Sequence, residues 1–271
     1  MTTEVLRSAD QETIADAAPA PLLSLRGVSR SFGAVQALTD VDLDIYAGEV
    51  TALTGDNGAG KSVLIKTVAG LWQPSAGQII WEGRPVRPHS PKEAEALGIT
   101  TIYQDLALCD NLDIVQNMFL GHEPLRFGTL DEATMEIATR KTLDELAVMS
   151  VASLRQPVRS LSGGQRQAVA VARAVMASAK LVIMDEPTAA LGVSQTRMVL
   201  DLIKRLADRG VAVIVISHNL NDVFEVADRI AVLYIGQLVA VGPAAEFDRQ
   251  SVVEYMTTGQ LGHPDREVLA L

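Results

Sequence analysis

The chain has 271 residues, of which 48% are hydrophobic and 21% are charged, a composition typical of a globular protein with a sizeable core. Its formal net charge of −10 argues against a general nucleic-acid-binding surface, so we expect no nucleic-acid partner. The single cysteine excludes an internal disulfide and fits a reducing compartment. No apolar run reaches the ~18 residues that a membrane span needs, so we expect no transmembrane segment.

Residues 1–20 lack the apolar core of a signal peptide, so we expect them to form a flexible N-terminal tail. Apolar residues then predict strands over 22–28 and 41–45. Between these strands stands Phe32, directly before a glycine. An aromatic residue in this place fits the core and stacking on a purine ring about equally well, so the sequence leaves both interpretations open.

Residues 55–62 read Gly-Asp-Asn-Gly-Ala-Gly-Lys-Ser, which fits the phosphate-loop pattern G-x-x-x-x-G-K-S/T. A β-branched run precedes this segment and a helical run follows it, which is the context that the pattern requires. Backbone amides of the loop and the start of the helix would surround phosphate oxygens, Lys61 would reach the β- and γ-phosphates, and Ser62 would offer its hydroxyl to Mg²⁺. The alternative is a glycine-rich turn that carries Lys-Ser by chance. The predicted nucleotide-binding residues here are Gly55, Asp56, Asn57, Gly58, Ala59, Gly60, Lys61, Ser62 and Val63.

After the loop the pattern predicts a strand over 78–83, a helix over 91–97 capped by Ser90 and ended by Gly98, and a strand over 99–103 that leads to Gln104. From 105 to about 160 the apolar residues recur at helical spacing, which indicates a helical subdomain. Helix, strand, helix, strand, helix and strand then alternate from 166 to 234, which favours an α/β fold with a parallel sheet. From about 246 the chain has mixed polarity and is expected to end loosely, so we expect a C-terminal extension at 246–271.

Asp185 and Glu186 end the apolar run 181–184, which is typical of a strand that is buried on both faces. Two acids in such a place are costly unless they act on a charge. Asp185 is suited to hold Mg²⁺ and Glu186 to polarise the water that attacks a γ-phosphate. The alternative is a strand-end turn with solvated acids. His218, at the end of a later strand, would by itself more often be a structural histidine.

Together with Leu-Ser-Gly-Gly-Gln at 161–165, these motifs resemble the ATP-hydrolysing subunit of an ABC transporter over about 22–243. The resemblance implies a P-loop NTPase (RecA-like) fold, in which a parallel-sheet core carries an antiparallel β subdomain and an inserted helical subdomain. It places one cassette at 21–245, with the core at 21–104 and 179–245 and the helical subdomain at 105–178. One phosphate loop and one such signature imply a homodimer, because in relatives the signature caps ATP that is held by the opposite subunit. The signature residues that this assigns to ATP are Ser162, Gly163, Gly164 and Gln165.

The resemblance also implies roles for single residues. It makes Phe32 the aromatic that stacks on adenine, Gln104 a ligand to Mg²⁺ and the attacking water, and His218 a contact to the γ-phosphate. The implied catalytic residues are Glu186, His218, Gln104 and Lys61, and the implied metal ligands are Ser62, Gln104 and Asp185. One position departs from the family pattern. Gly192 stands where most members have an aspartate that couples the two ATP sites, which puts that coupling in doubt.

Three strings, at 103–108, 117–121 and 216–220, are similar to subunits that import ribose-, xylose- or fructose-type sugars. The resemblance therefore implies ATP hydrolysis that powers import of a monosaccharide through a separate permease, with a sugar-binding protein as an indirect partner. The chain would lie at the cytoplasmic face of the membrane, and we expect 105–121 to contact the permease. Two alternatives stay open: a soluble ABC-type ATPase that serves as an assembly or clamp factor, and a cassette that binds ATP without hydrolysing it.

Overall fold

The computed structural model describes residues 20–146 and 153–260. The expected N-terminal tail, apart from its last residue, and the end of the expected C-terminal extension, 261–271, lie outside the described residues. In the described part of the chain, every helix is too short or too polar to cross a membrane.

Strands and helices alternate along most of the described chain. The strands are β1 (Leu23–Phe32), β2 (Val35–Ile45), β3 (Val50–Thr54), β4 (Ala76–Trp81), β5 (Arg84–Val86), β6 (Ile99–Ile102), β7 (Leu125–Arg126), β8 (Thr129–Leu130), β9 (Leu181–Asp185), β10 (Ala212–Ile216), β11 (Arg229–Tyr234) and β12 (Gln237–Pro243). The helices are α1 (Lys61–Val68), α2 (Pro91–Leu97), α3 (Ile114–Phe119), α4 (Glu132–Glu145), α5 (Gly163–Met176), α6 (Val193–Asp208), α7 (Leu220–Val226) and α8 (Arg249–Thr258).

The main sheet has the strand order β12-β11-β3-β10-β9-β6, and all of its neighbouring strands are parallel except β11 and β12. Every residue of β3 and β10 is buried, which explains why both read as continuous apolar or β-branched runs rather than alternating ones. Strand β3 is central, with β11 on one flank and β10 and β9 on the other. The carboxyl ends of these strands therefore frame the segment that follows β3.

A second, antiparallel sheet has the order β2-β1-β4-β5. Its inward side chains, such as Leu23 and Ile79, share one hydrophobic cluster with Leu64 of α1 and Ile183 of β9. A second cluster joins α3, α4, α5 and α6 to the other face of the main sheet. The predicted combination of a parallel core with an antiparallel sheet and a helical part is therefore present, while the residue boundaries of the domains stay a prediction.

Three elements differ from the sequence expectations. The segment 105–160, expected to be helical in texture, also contains the hairpin β7–β8, whose two-residue turn places Phe127 and Gly128 at positive φ. The extension from 246 contains a helix that the sequence analysis did not predict, α8, which Asp248 caps together with Ser251 and which buries Val252. Strand β12, which the sequence analysis did not predict, pairs with β11 at the sheet edge.

Asn117 is a fully buried amide that organises the turn before α3. Its Oδ1 accepts a hydrogen bond from the backbone N–H of Cys109 at 2.7 Å. Its Nδ2 donates to the carbonyl oxygens of Cys109, Leu112 and Asp113 at 3.0, 3.3 and 2.9 Å. One buried side chain thus bonds four backbone groups of 109–113, which holds this turn against the helix.

Replacing Asn117 with Ala is expected to lower the free energy of unfolding by about 2–3 kcal/mol, because it removes four hydrogen bonds of a buried amide and takes the acceptor from the Cys109 N–H, while the three carbonyl oxygens keep their backbone donors. Chemical denaturation followed by circular dichroism measures this loss. Asn111→Ala is the matched control, since Asn111 lies in the same turn but is exposed. Equal stability of the two variants would contradict the assignment.

Candidate active site

The predicted phosphate loop connects β3 to α1. Gly55 has φ 152°, and a Cβ atom at this position would collide with the carbonyl oxygen of Leu233, so that only glycine fits. Gly60 precedes α1 at φ 106°, and no side chain caps the helix. The first N–H groups of α1 therefore remain available for an anion.

Lys61, the first residue of α1, bends back over this loop. Its Nζ donates to the carbonyl oxygens of Gly55 and Asp56 at 2.7 and 3.0 Å. Partial burial lowers the pKa of Lys61, and the negative charges of Glu186, Asp56 and Asp185 oppose that shift. The ammonium group thus lies beside the loop, in a field set by nearby acids.

The two acids lie at the carboxyl end of β9, of which Asp185 is the last residue. Burial and repulsion from Glu186 raise the pKa of Asp185, against the influence of Lys61 and Lys66. Glu186 has φ 51°, a left-handed conformation that non-glycine residues rarely adopt, and its N–H donates to the carbonyl oxygen of Ile216 at 2.9 Å. Its Oε1 lies 2.7 Å from Nδ1 of His218. An uncommon backbone conformation and a histidine therefore fix the direction of this carboxylate.

A cleft of about 430 Å³ brings most of these groups together. The predicted site residues on its wall are Asn57, Gly58, Ala59, Gly60, Lys61, Ser62, Val63, Gln104, Asp185 and Glu186. The wall also contains residues that the sequence analysis did not single out, namely Val35, Gln36, Ala37, Ile216, Ile235 and Gly236. These neighbours come from β2, β10 and the turn after β11, which only long-range pairing brings to the loop.

Phe32, in contrast, is not on the wall of this cleft. Its ring packs edge-on against Trp72, with 4.9 Å between the ring centroids, and the Arg30 guanidinium lies 4.5 Å from its centroid. The side chain is 38% exposed, so the ring is neither a core residue nor fully free. The stacking role of Phe32 stays a prediction.

The signature residues also lie off the cleft wall. Ser162 caps α5, accepting from the N–H of Gln165, while the Gln165 side chain accepts from the N–H of Ser162. A Cβ atom on Gly163 would lie 2.7 Å from Leu191, and one on Gly164 would lie 2.6 Å from Met198. The two glycines therefore allow the start of α5 to pack closely against the α6 region, and within one chain they do not complete the cleft.

A family model described as ABC transporter matches residues 38–189, a segment that contains the phosphate loop, the signature and the two acids. The chain belongs to the ABC transporter family. As in other members, its core is a P-loop NTPase α/β fold, as the sequence predicted.

Among its relatives, the fructose import ATP-binding protein FrcA of Rhizobium meliloti is 46% identical, and the match covers 92% of this chain and 98% of the relative. The xylose/arabinose import ATP-binding protein XylG of Sulfolobus acidocaldarius is 47% identical, with 89% of this chain and 96% of the relative covered. A ribose import ATP-binding protein of Streptomyces avermitilis is 40% identical over 94% of this chain, which spans about half of that relative, 51%.

Solved structures of this ABC family have the same fold. A nucleotide-free ATP-binding cassette from an ABC transporter superimposes with a TM-score of 0.74 at 25% identity, covering 87% of this chain and 98% of that one. A dimeric cassette in a post-hydrolysis state, bound to ADP and phosphate, gives a TM-score of 0.67 at 22% identity, covering 82% and 98%.

Gly192, the departure from the ABC family pattern, is the N-cap residue of α6. It has φ −74° and ψ 161°, makes no side-chain capping bond, and leaves open space where a Cβ atom would stand. The first turn of α6 also lacks an acidic residue. The start of this helix is therefore left without the favourable charge and acceptor that an aspartate would supply.

Replacing Gly192 with Asp is expected to raise the free energy of unfolding by about 0.5–1 kcal/mol, because the carboxylate would cap α6 and complement its dipole. Denaturant unfolding measures the gain, and added salt should reduce its electrostatic part. Gly192→Asn serves as the control, since it supplies the acceptor without the charge. A loss of stability in both variants would show that the space at this position is not open.

Proposed function

We propose that the chain is the ATP-binding and ATP-hydrolysing subunit of an ABC transporter, and that it powers import of a monosaccharide through a separate membrane permease. The observation that carries the ATPase part is the cleft in which Lys61, Asp185 and Glu186 meet the phosphate loop. The names of relatives at 46% and 47% identity support a sugar as the transported substrate, since both are import proteins for sugars. The same names favour a transporter over a soluble assembly or clamp factor.

The chemistry follows from the position of each group. The loop amides and Lys61 would bind the phosphates of ATP, and Glu186, held by His218, would accept the proton of the attacking water. His218 would keep the Glu186 carboxylate pointed at that water and would contact the γ-phosphate.

Ser62, Gln104 and Asp185 line the same cleft and offer hydroxyl, amide and carboxylate oxygens, a donor set that suits Mg²⁺. Burial, and after it the charge of Glu186, raise the pKa of Asp185, and a bound cation would favour its charged form. When bound, the ion would neutralise charge on the phosphates.

A second copy of the chain would complete each site. Because Ser162, Gly163 and Gly164 lie off the cleft wall of their own chain, we propose that they cap the ATP of the opposite copy. A homodimer would then contain two identical composite sites, which is the usual isologous arrangement. A cassette of the same fold that is solved as a dimer with ADP and phosphate supports this arrangement.

The surface that we assign to the permease includes part of 105–121, the segment that follows Gln104 in the chain. A groove of about 410 Å³, with mostly apolar lining, is formed by α2, α3 and the end of α5, and its wall includes Met118, Phe119 and Met176. Arg166 near the start of α5 forms an ion pair with Asp110, in the segment that leads from Gln104 to α3. A permease segment that moves in this groove, at the cytoplasmic face of the membrane, would therefore shift both the segment attached to Gln104 and the signature helix.

Affinity purification of the tagged chain from detergent-solubilised membranes of its host tests this proposal, with mass spectrometry of the bound proteins. We expect a multi-span permease and a sugar-binding protein. Phe119→Glu in the groove should lose the permease, whereas Val253→Glu on α8, which is 47% exposed, should retain it. Recovery of soluble partners alone, with the ATPase activity intact, would overturn the transport part.

A further inference from the structure

The two-residue turn between β11 and β12 has an unusual residue in it. Tyr234 pairs with Gln237, so the turn consists of Ile235 and Gly236, whose φ angles are 43° and 77°. Positive φ at both positions is the requirement of a type I′ turn, which favours Asn, Asp or Gly in the first place. A β-branched residue there is an outlier, so Ile235 holds a strained backbone.

Packing does not explain this choice, because Ile235 is 70% exposed. The turn itself is firmly held: the N–H of Gly236 donates to the carbonyl oxygen of Ala59 in the phosphate loop, and its carbonyl accepts from Thr39, both at 2.8 Å. Strained residues that persist at such places cluster at ligand-binding sites. A fixed turn thus presents an exposed apolar side chain beside the phosphate loop.

Sheet order shows which part of a nucleotide would reach this side chain. Strand β11 and β9 lie on opposite flanks of β3, and the acids Asp185 and Glu186 are at the β9 flank. The phosphates would therefore face that side. Ile235 lies on the other flank, on the same cleft wall as Val35, which is 66% exposed. The remaining part of the ligand, its ribose and base, is what an apolar wall on this flank would meet.

We propose that Ile235 contacts the nucleoside part of the bound nucleotide and sets its affinity, and that the strained turn is retained for this contact. This inference rests on the proposed nucleotide-binding function. It predicts that one substitution at Ile235 both relieves the backbone strain and weakens nucleotide binding.

Ile235→Asn creates the Asn-Gly sequence that type I′ turns prefer and removes the apolar side chain. We expect Tm of the nucleotide-free chain to rise by about 2–4 °C. Calorimetric titration should show ADP binding weakened roughly five- to thirtyfold, which is the effect of losing one apolar contact. Pyrophosphate, which has no nucleoside, should bind the variant as it binds the original chain.

Phe127→Asn is the matched control. Phe127 occupies the same position of the β7–β8 turn, with φ 54° before Gly128 at 85°, and is 95% exposed. This variant should gain stability in the same way and bind ADP normally. Ile235→Val, which keeps an apolar side chain, should stay within about twofold of the original ADP affinity.

The outcomes separate this inference from the proposed function. Unchanged ADP affinity in Ile235→Asn, or equal weakening of ADP and pyrophosphate, would overturn the nucleoside contact. If Ile235→Asn gains no stability while Phe127→Asn does, the strain argument is overturned. Failure of the original chain to bind ADP at all would instead count against the proposed function.

Discussion

Replacing Glu186 with Gln is expected to lower ATP hydrolysis by about 10²–10⁴-fold while nucleotide binding is kept, because the amide cannot accept the proton of the attacking water. The geometry supports this role: the carboxylate lies 2.7 Å from His218, and Glu186 keeps its uncommon φ of 51°. Release of phosphate at steady state measures the loss. Gel filtration with ATP measures the second expected effect, accumulation of a closed dimer.

Glu225→Gln is the control for this experiment. Glu225 is an exposed acid that forms an ion pair with Lys204, away from the cleft wall, so its activity should match that of the original chain. Hydrolysis by Glu186→Gln within about threefold of the original rate would be incompatible with a base at this position.

Replacing Lys61 with Met is expected to weaken ATP binding by roughly 10²-fold or more. Each charge-assisted hydrogen bond from the ammonium to a phosphate oxygen contributes about 1.5–3 kcal/mol, and two of them are lost. Titration calorimetry measures the affinity. The folded state should tolerate the change. Partial burial lowers the pKa of Lys61, which means that the buried position disfavours its charge. Its hydrogen bonds to Gly55 and Asp56 end on carbonyl oxygens of a single loop.

Lys141→Met tests whether loss of any positive charge has this effect. Lys141 is exposed on α4, where it pairs with Glu145, and the variant should bind ATP normally. If Lys61→Met retained the original affinity while remaining folded, the phosphate-loop interpretation of 55–62 would be wrong.

Features that depend on near neighbours in the chain were predictable. The helix 91–97 with its cap at Ser90 and its end at Gly98 forms as expected, because the capping residues are within the segment. Buried parallel strands were also predictable from their apolar runs. The signature was recognised, although its capping bonds between Ser162 and Gln165 start the helix at Gly163, earlier than the apolar pattern had indicated.

Features that depend on distant pairing were not predictable. The left-handed conformation of Glu186 arises because its N–H meets the carbonyl of Ile216 on another strand. Strand β12 was missed because an isoleucine occupies the turn position where Asn or Gly normally marks a hairpin. The wall of the cleft formed by Val35 and Ile235 likewise depends on two strands that are far apart in sequence.

The central place of β3 has a consequence for how the chain is made. Val50 pairs with Val213 on one side, and Thr51 with Arg229 on the other, so β3 finds both neighbours only in the last quarter of the chain. At about 5–20 residues per second, a ribosome would need roughly ten to thirty seconds to synthesise the intervening segment. During that time β3 would expose two unpaired edges, and pairings over such distances form slowly. We therefore expect the nascent chain to depend on chaperones until β10 and β11 have emerged.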